Sequence, residues 1–293
     1  MSGDYHADRY DRIVAKLMQS SDKEAASLIS RHVGNMALVR ADGKGLQEAG
    51  IIPELVCRLR VALSDNFQSE SGLLACAALR DMGCGSAASR KAVRFSGGLV
   101  PIVDCIKRFH GIRWENLYRD DLRSITVAAG AIRNLAHSTR ENCEEFHRLG
   151  ATDDLSWRLL HGNSPKGSDV SRDDQHLPEA GSPWREASFR SAGALINMAE
   201  KCSDCAEACA SNFHLIDILV ASWGGKNKRG KAAVIHPGLH IILKLAAAKY
   251  SLDSSLVDAL EREETRRKHA QEREGLRKKN LLLTSAQEKN SVH

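Results

Sequence analysis

Apolar positions in this chain recur every three to four residues, in runs too long for strands. In "SITVAAGAIRNLA", Ile125, Ala128, Ala129, Ile132 and Leu135 fall on one helical face, while Arg133 and Asn134 fall on another. No stretch shows the strict apolar–polar alternation of a half-buried strand. The polar turn "HSTREN" ends that helix, and "NCEEFHRL" predicts a short second one. Gly150 is placed to close it, and "DDLSWRLL" opens a third. Pro53 and Pro101 fall just inside helices, where a missing N–H costs little. The pattern predicts an all-α protein built from three-helix units.

The unit repeats. "RNLA" at 133–136 returns as "GNMA" at 34–37, "RDMG" at 80–83, "INMA" at 196–199 and, in weaker form, "LKLA" at 243–246. A second signal follows each anchor: "EAGIIPELVCRL" with Gly50, "FSGGLVPIVDCI" with Gly98, "RLGATDDLSWRLL" with Gly150, and "SNFHLIDILV" with Phe213 in the glycine place. Measured from Asn35, Asp81, Asn134 and Asn197, the offsets are 15, 17, 16 and 16 residues. Successive anchors, ending at Lys244, lie 46, 53, 63 and 47 residues apart. The two long intervals hold insertions, "HGIRWENLYRDDLR" at 110–123 and the Gly/Ser/Pro/Asp-rich loop 161–184. A period of this length marks a helical solenoid.

The anchors "AAGAIRNLA…LGA…LL", "EAGIIPELV" and "SGGLVPIVDCI" resemble the armadillo repeat over residues 24–260, in four clear units and one degenerate one. The resemblance implies an armadillo-type α-α superhelix, right-handed, with the third helix of each unit lining a concave groove. Neighbouring units bury faces that no single unit hides alone. It also implies that Asn35, Asn134 and Asn197, with Asp81 replacing Asn in the second unit, face that groove. There an amide can hold an extended peptide backbone by donating and accepting together. The competing reading has these asparagines packing or capping within their own helices. The tryptophans that importin-alpha-type repeats place four residues before the Asn are missing, those places being Arg31, Ala77, Gly130 and Gly193. The glycines resemble the catenin and plakophilin pattern. Arg80 and Arg133, with Arg31 a turn earlier, predict an acidic or phosphorylated protein or peptide partner; the competing reading leaves them solvated.

Composition agrees with a globular helical protein: 42% hydrophobic, 27% charged and only 5% aromatic. The net charge of +5 sits in short clusters such as 224–231 and 266–279, too modest for a nucleic-acid footprint. No apolar run reaches the roughly 20 residues of a membrane span. Eight cysteines lie in apolar helical runs, so reduced, buried thiols are expected, in a cytoplasmic and conceivably nuclear or cytoskeleton-associated protein. Cys202, Cys205 and Cys209 share a helical face with His214 behind them, a zinc-like ligand set. A packed solenoid core explains the same cysteines, and no metal or other cofactor is expected. "GGKNKRGKA" approaches a P-loop, with four residues between Gly225 and Gly230-Lys231, but Ala232 stands where Ser or Thr must ligate magnesium. No Ser elbow, paired carboxylates or activated Cys–His pair is visible, and His137 and His147 have no evident acid–base partner. A non-enzymatic adaptor without a small-molecule substrate is the expectation. The alternative is a non-catalytic accessory subunit of a ubiquitin ligase or kinase assembly.

Outside the repeats, residues 1–23 are expected to cap the first unit through Tyr10, Ile13, Val14 and Leu17. Residues 261–293 are expected to form a charged, partly disordered helical tail.

Overall fold

The computed structural model describes residues 4–65, 69–113, 116–162, 183–223 and 237–250, with Arg262 and Thr265 as isolated positions. Apart from those two positions the charged tail lies outside the described residues, as do the P-loop-like segment 225–231 and most of the 161–184 loop.

Every described element is a helix. The first unit comprises α1 (Asp4–Gln19), α2 (Asp22–Leu28), a π-helical turn (Ile29–Val33) and α3 (Gly34–Leu38). Four three-helix units follow. They are α4 (Arg40–Glu48), α5 (Ile51–Ser64) and α6 (Glu70–Gly85); α7 (Ala87–Phe95), α8 (Leu99–Lys107) and α9 (Arg119–Ala136); α10 (Arg140–Arg148), α11 (Ala151–Gly162) and α12 (Pro183–Ala199); and α13 (Ser203–Ala210), α14 (Phe213–Trp223) and α15 (Pro237–Tyr250).

Like elements stack on like. The third helices form one ladder, α3 on α6, α6 on α9, α9 on α12 and α12 on α15. The second helices form another, from α5 through α8 and α11 to α14, and the short first helices a third, from α4 through α7 and α10 to α13. Alanine makes the third-helix ladder tight: Ala128, Ala129, Ala131, Ala136, Ala192 and Ala194 are fully buried. Between them Ile125, Ile132, Leu135, Leu195 and Ile196 are fully buried as well. Each such aliphatic side chain contributes about 1.5–3 kcal/mol relative to exposure.

Local chemistry sets the boundaries. Ser69 and Ser86 cap α6 and α7 by accepting from the N–H groups of Gly72 and Ser89, and Asp121 accepts from the Tyr118 N–H at the start of α9. Gly50, Gly97 and Gly150, at φ of 83°, 69° and 89°, turn each first helix into its second. The second joint is therefore Gly97, not the Gly98 expected from the motif, which has φ of −77°. In the last unit no glycine serves; the Asn212 side chain caps α14 by accepting from the Leu215 N–H. The 161–184 loop is shorter than expected because α11 runs to Gly162 and α12 opens at Pro183. The insertion at 110–123 is likewise trimmed, since its last five residues are the first turns of α9. Tyr10, Val14 and Leu17 of α1 are buried against the first units.

Candidate functional site

Asparagine in this fold first serves the fold. The Asn197 Nδ2 donates to the Arg133 carbonyl at 2.7 Å, and the Asn134 Nδ2 donates to the Arg80 carbonyl at 2.9 Å. Each staples its third helix to the last turns of the one before. Arg133 is among the final four residues of α9, whose carbonyls have no partner within the helix. Other side chains finish that helix end: the Asn142 Nδ2 donates to the Leu135 carbonyl at 2.9 Å and the Cys143 Sγ to the Ala136 carbonyl at 3.1 Å. One unit earlier, the Arg90 Nη1 donates to the Gly83 carbonyl at 3.0 Å and its Nε to the Thr139 Oγ1 at 3.0 Å. A cation at a helix C-terminus is favourable.

The expected asparagine ladder thus splits into three environments. Asn197 is only 7% exposed, Asn134 is half-buried, and exposed Asn35 bonds its own helix at the Arg31 carbonyl, 3.3 Å away. Asp81 is held by its neighbour: the Arg80 Nε and Nη2 reach its two carboxylate oxygens at 2.8 and 3.2 Å.

The arginines converge across the ladder. A Cβ on Gly130 would lie 3.0 Å from the Arg80 Cδ and 3.7 Å from the Arg190 Cδ, so the stems of both residues fold over this glycine. Arg190 is tied to Glu186 at 2.7 Å, one turn earlier on α12. The Arg133 guanidinium lies over the Phe189 ring, 5.6 Å from its centroid. Burial, and then the like charge of Arg190, pulls the Arg133 guanidinium below its ordinary range. For Arg80 burial acts downward too, but the Asp81 carboxylate outweighs it and raises the group. Arg80 and Arg133 both stay cationic at neutral pH.

Arg80 and Arg133 stood out in the sequence; Arg190, whose stem meets that of Arg80 over Gly130, and Phe189, which lies against Arg133, did not. Arg190 lies seven residues before Asn197, a place held by Val127 and Leu74 in the preceding units, so no repeat template singles it out. Helical spacing does: Glu186, Arg190, Gly193 and Asn197 share one stripe of α12. Arg31 belongs elsewhere. With Lys16, His32, Ser20 and Glu24 it lines an open cleft of about 400 Å³ beside the π-helical turn.

Among the described residues no group of three or more His, Cys, Asp and Glu side chains is arranged to hold a metal. Cys202, Cys205 and Cys209 are buried in the core beside Cys143, while His214 is exposed on α14. Burial pushes the Cys143 thiol far above its usual range. His147 bonds the Thr152 hydroxyl at 2.8 Å, and His137 is exposed. No described helix is long and apolar enough to cross a membrane.

No protein-family model matches this sequence, and no curated protein is similar enough in sequence to count as a relative. The fold has many solved counterparts. "Designed armadillo repeat protein YIII(Dq)4CqI" is 18% identical with a TM-score of 0.51, over 86% of this chain and 87% of that one. A structure of "computationally designed armadillo repeat proteins for modular peptide recognition" gives 18% identity and a TM-score of 0.53, over 80% and 81%. A designed armadillo repeat protein "in complex with peptide (KR)4" is also 18% identical, with a TM-score of 0.50 over 86% and 97%. The architecture of this chain is the armadillo-type helical superhelix, matched over most of its length.

Proposed function

We propose that the chain is a non-catalytic scaffold whose third-helix face holds an extended, negatively charged segment of a protein partner. The observation that carries this reading is the meeting of Arg80 and Arg190 over Gly130, with Arg133 lying over Phe189 beside Arg190, so that three successive third helices each bring an arginine to one place. A solvated arginine has no reason to share its glycine-sized space with another. Like charges brought together are costly, and a partner of opposite sign relieves that cost while fixing register. The designed counterpart that holds a (KR)4 peptide shows that the same architecture can carry a peptide of repeated charge. In this chain the cluster is cationic, so the complementary segment is acidic. Gly130 and Gly193, at the places of the importin-alpha clamp tryptophans, set the groove nearer the catenin and plakophilin pattern.

Side-chain charge, more than the asparagine amides, then selects the partner, because Asn134 and Asn197 each spend a donor on a neighbouring helix. The test is affinity recovery from native cells with wild type and with Arg80→Glu/Arg133→Glu, after circular dichroism confirms the fold. Partner recovery is expected to fall at least about tenfold, the equivalent of one charge-assisted contact. Unchanged recovery removes the groove reading.

A further inference from the structure

The negative charge that fits this site is concentrated rather than spread. Arginines on successive third helices could each extend separately into solvent, which would suit a row of separate acidic residues. Here the stems of Arg80 and Arg190 instead meet over a single glycine, and Arg133 faces Arg190 closely enough for its charge to be felt. Building on the groove reading above, we infer that the Arg80–Arg133–Arg190 cluster is the seat of a phosphorylated side chain on the partner, with Glu186 holding the place of the phosphate.

Two carboxylates already lie in the cluster, and they differ. Asp81 grips Arg80 through both oxygens, and its side chain is only 16% exposed. Glu186 is held by the Arg190 Nε at 2.7 Å, and its side chain is 48% exposed, so it swings away at little cost. With Glu186 displaced, the Arg133 and Arg190 guanidiniums offer positive charge beside the neutralised Arg80–Asp81 pair, and a guanidinium fork matches the oxygens of an anion. A phosphate monoester carries nearly two negative charges and three strong acceptor oxygens at neutral pH. A single carboxylate supplies half the charge and two oxygens, which is what Glu186 supplies now. The Phe189 ring walls the site beside Arg133, and Gly130 is its floor. No bond is made or broken; binding exchanges one anion for another.

The probes are three immobilised degenerate peptide libraries with the same flanks and a central phosphoserine, glutamate or serine, together with a single-stranded oligothymidine competitor, all presented to the full chain. Wild type is expected to retain the phosphoserine library at least about tenfold better than the glutamate library. Arg133→Gln and Arg190→Gln are expected to abolish that advantage with melting curves intact, and Arg133→Lys to restore part of it. Glu186→Gln is expected to raise phosphoserine retention about two- to fivefold, since it removes a half-exposed competitor. Equal retention of glutamate and phosphoserine overturns the phosphate seat; if the arginines still matter, the acidic-groove reading survives. Phosphoserine retention indifferent to Arg133 and Arg190 overturns the seat, and native partner recovery equally indifferent sinks both readings. Displacement by oligothymidine at the concentration of free phosphopeptide reassigns the site to nucleic acid and overturns the proposal as well.

Discussion

Replacing Asn197 by alanine separates the two jobs an asparagine can do in this fold. Its amide donates at 2.7 Å to the Arg133 carbonyl and is almost wholly buried. That carbonyl lies in the last turn of α9, so truncation leaves it without the donor and too enclosed for full hydration. The lost hydrogen bond accounts for about 1 kcal/mol and the stranded carbonyl for about 1–2 kcal/mol more, giving roughly 2–3 kcal/mol. Asn134 differs in one respect. Its acceptor, the Arg80 carbonyl, lies deeper in α6 and keeps the helical N–H of Cys84, so Asn134→Ala is expected to cost only about 1 kcal/mol. Asn35→Ala removes an exposed bond within one helix and should stay within about 0.5 kcal/mol. Thermal melting ranks the three, at about 2–4 °C per kcal/mol for a chain of this size. Because helical arrays need not unfold in one step, amide hydrogen exchange at the end of α9 is measured alongside. Asn197→Ala as harmless as Asn35→Ala, or without faster exchange in that turn, refutes the stapling argument.

Two further outcomes follow from burial and charge. Iodoacetamide applied to the native protein should modify Cys57 and Cys84, which are exposed, and leave Cys76, Cys105, Cys143, Cys202, Cys205 and Cys209 intact until denaturant is added; native labelling of the buried set, read by mass spectrometry, contradicts the packed-core placement. Asp154 is buried, and burial raises its carboxyl above the ordinary range despite the opposing pull of His110, which bonds it at 2.7 Å. A raised folded-state value gives stability that is complete below the unfolded value of about 3.9 and is lost as pH rises through the folded one. The melting temperature of Asp154→Asn minus that of wild type should therefore climb as pH rises above about 4, and a flat or falling difference would disprove the sign.

The architecture was legible in the sequence because it is written many times over. Helical spacing, the Asn anchor and the glycine joint recur together, and a signal repeated in each unit survives local exceptions such as Phe213 in the glycine place. What the period could not show is what one unit does to the next. Nothing in the isolated motif says that Asn134 and Asn197 reach back across about one repeat to a carbonyl, since that depends on how closely alanine-rich helices approach. Arg190 escaped notice for the opposite reason: it occurs in one unit only, and a repeat template discards what is unique. The π-helical turn at Ile29–Val33 escaped for a third, because one extra residue per turn leaves no compositional mark.

The finishing of each third helix by residues downstream of it has a practical corollary. The carbonyls closing α9 are met by Asn142 and Cys143 of α10 and by Asn197 of α12, and the Gly83 carbonyl of α6 by Arg90 of α7. A polypeptide cut at the sequence period, after Ala136, would therefore lack the groups that close its own final turn. The smallest autonomous building block is out of phase with the written repeat, and grafting or shuffling these blocks will succeed only when the downstream short helix travels with them.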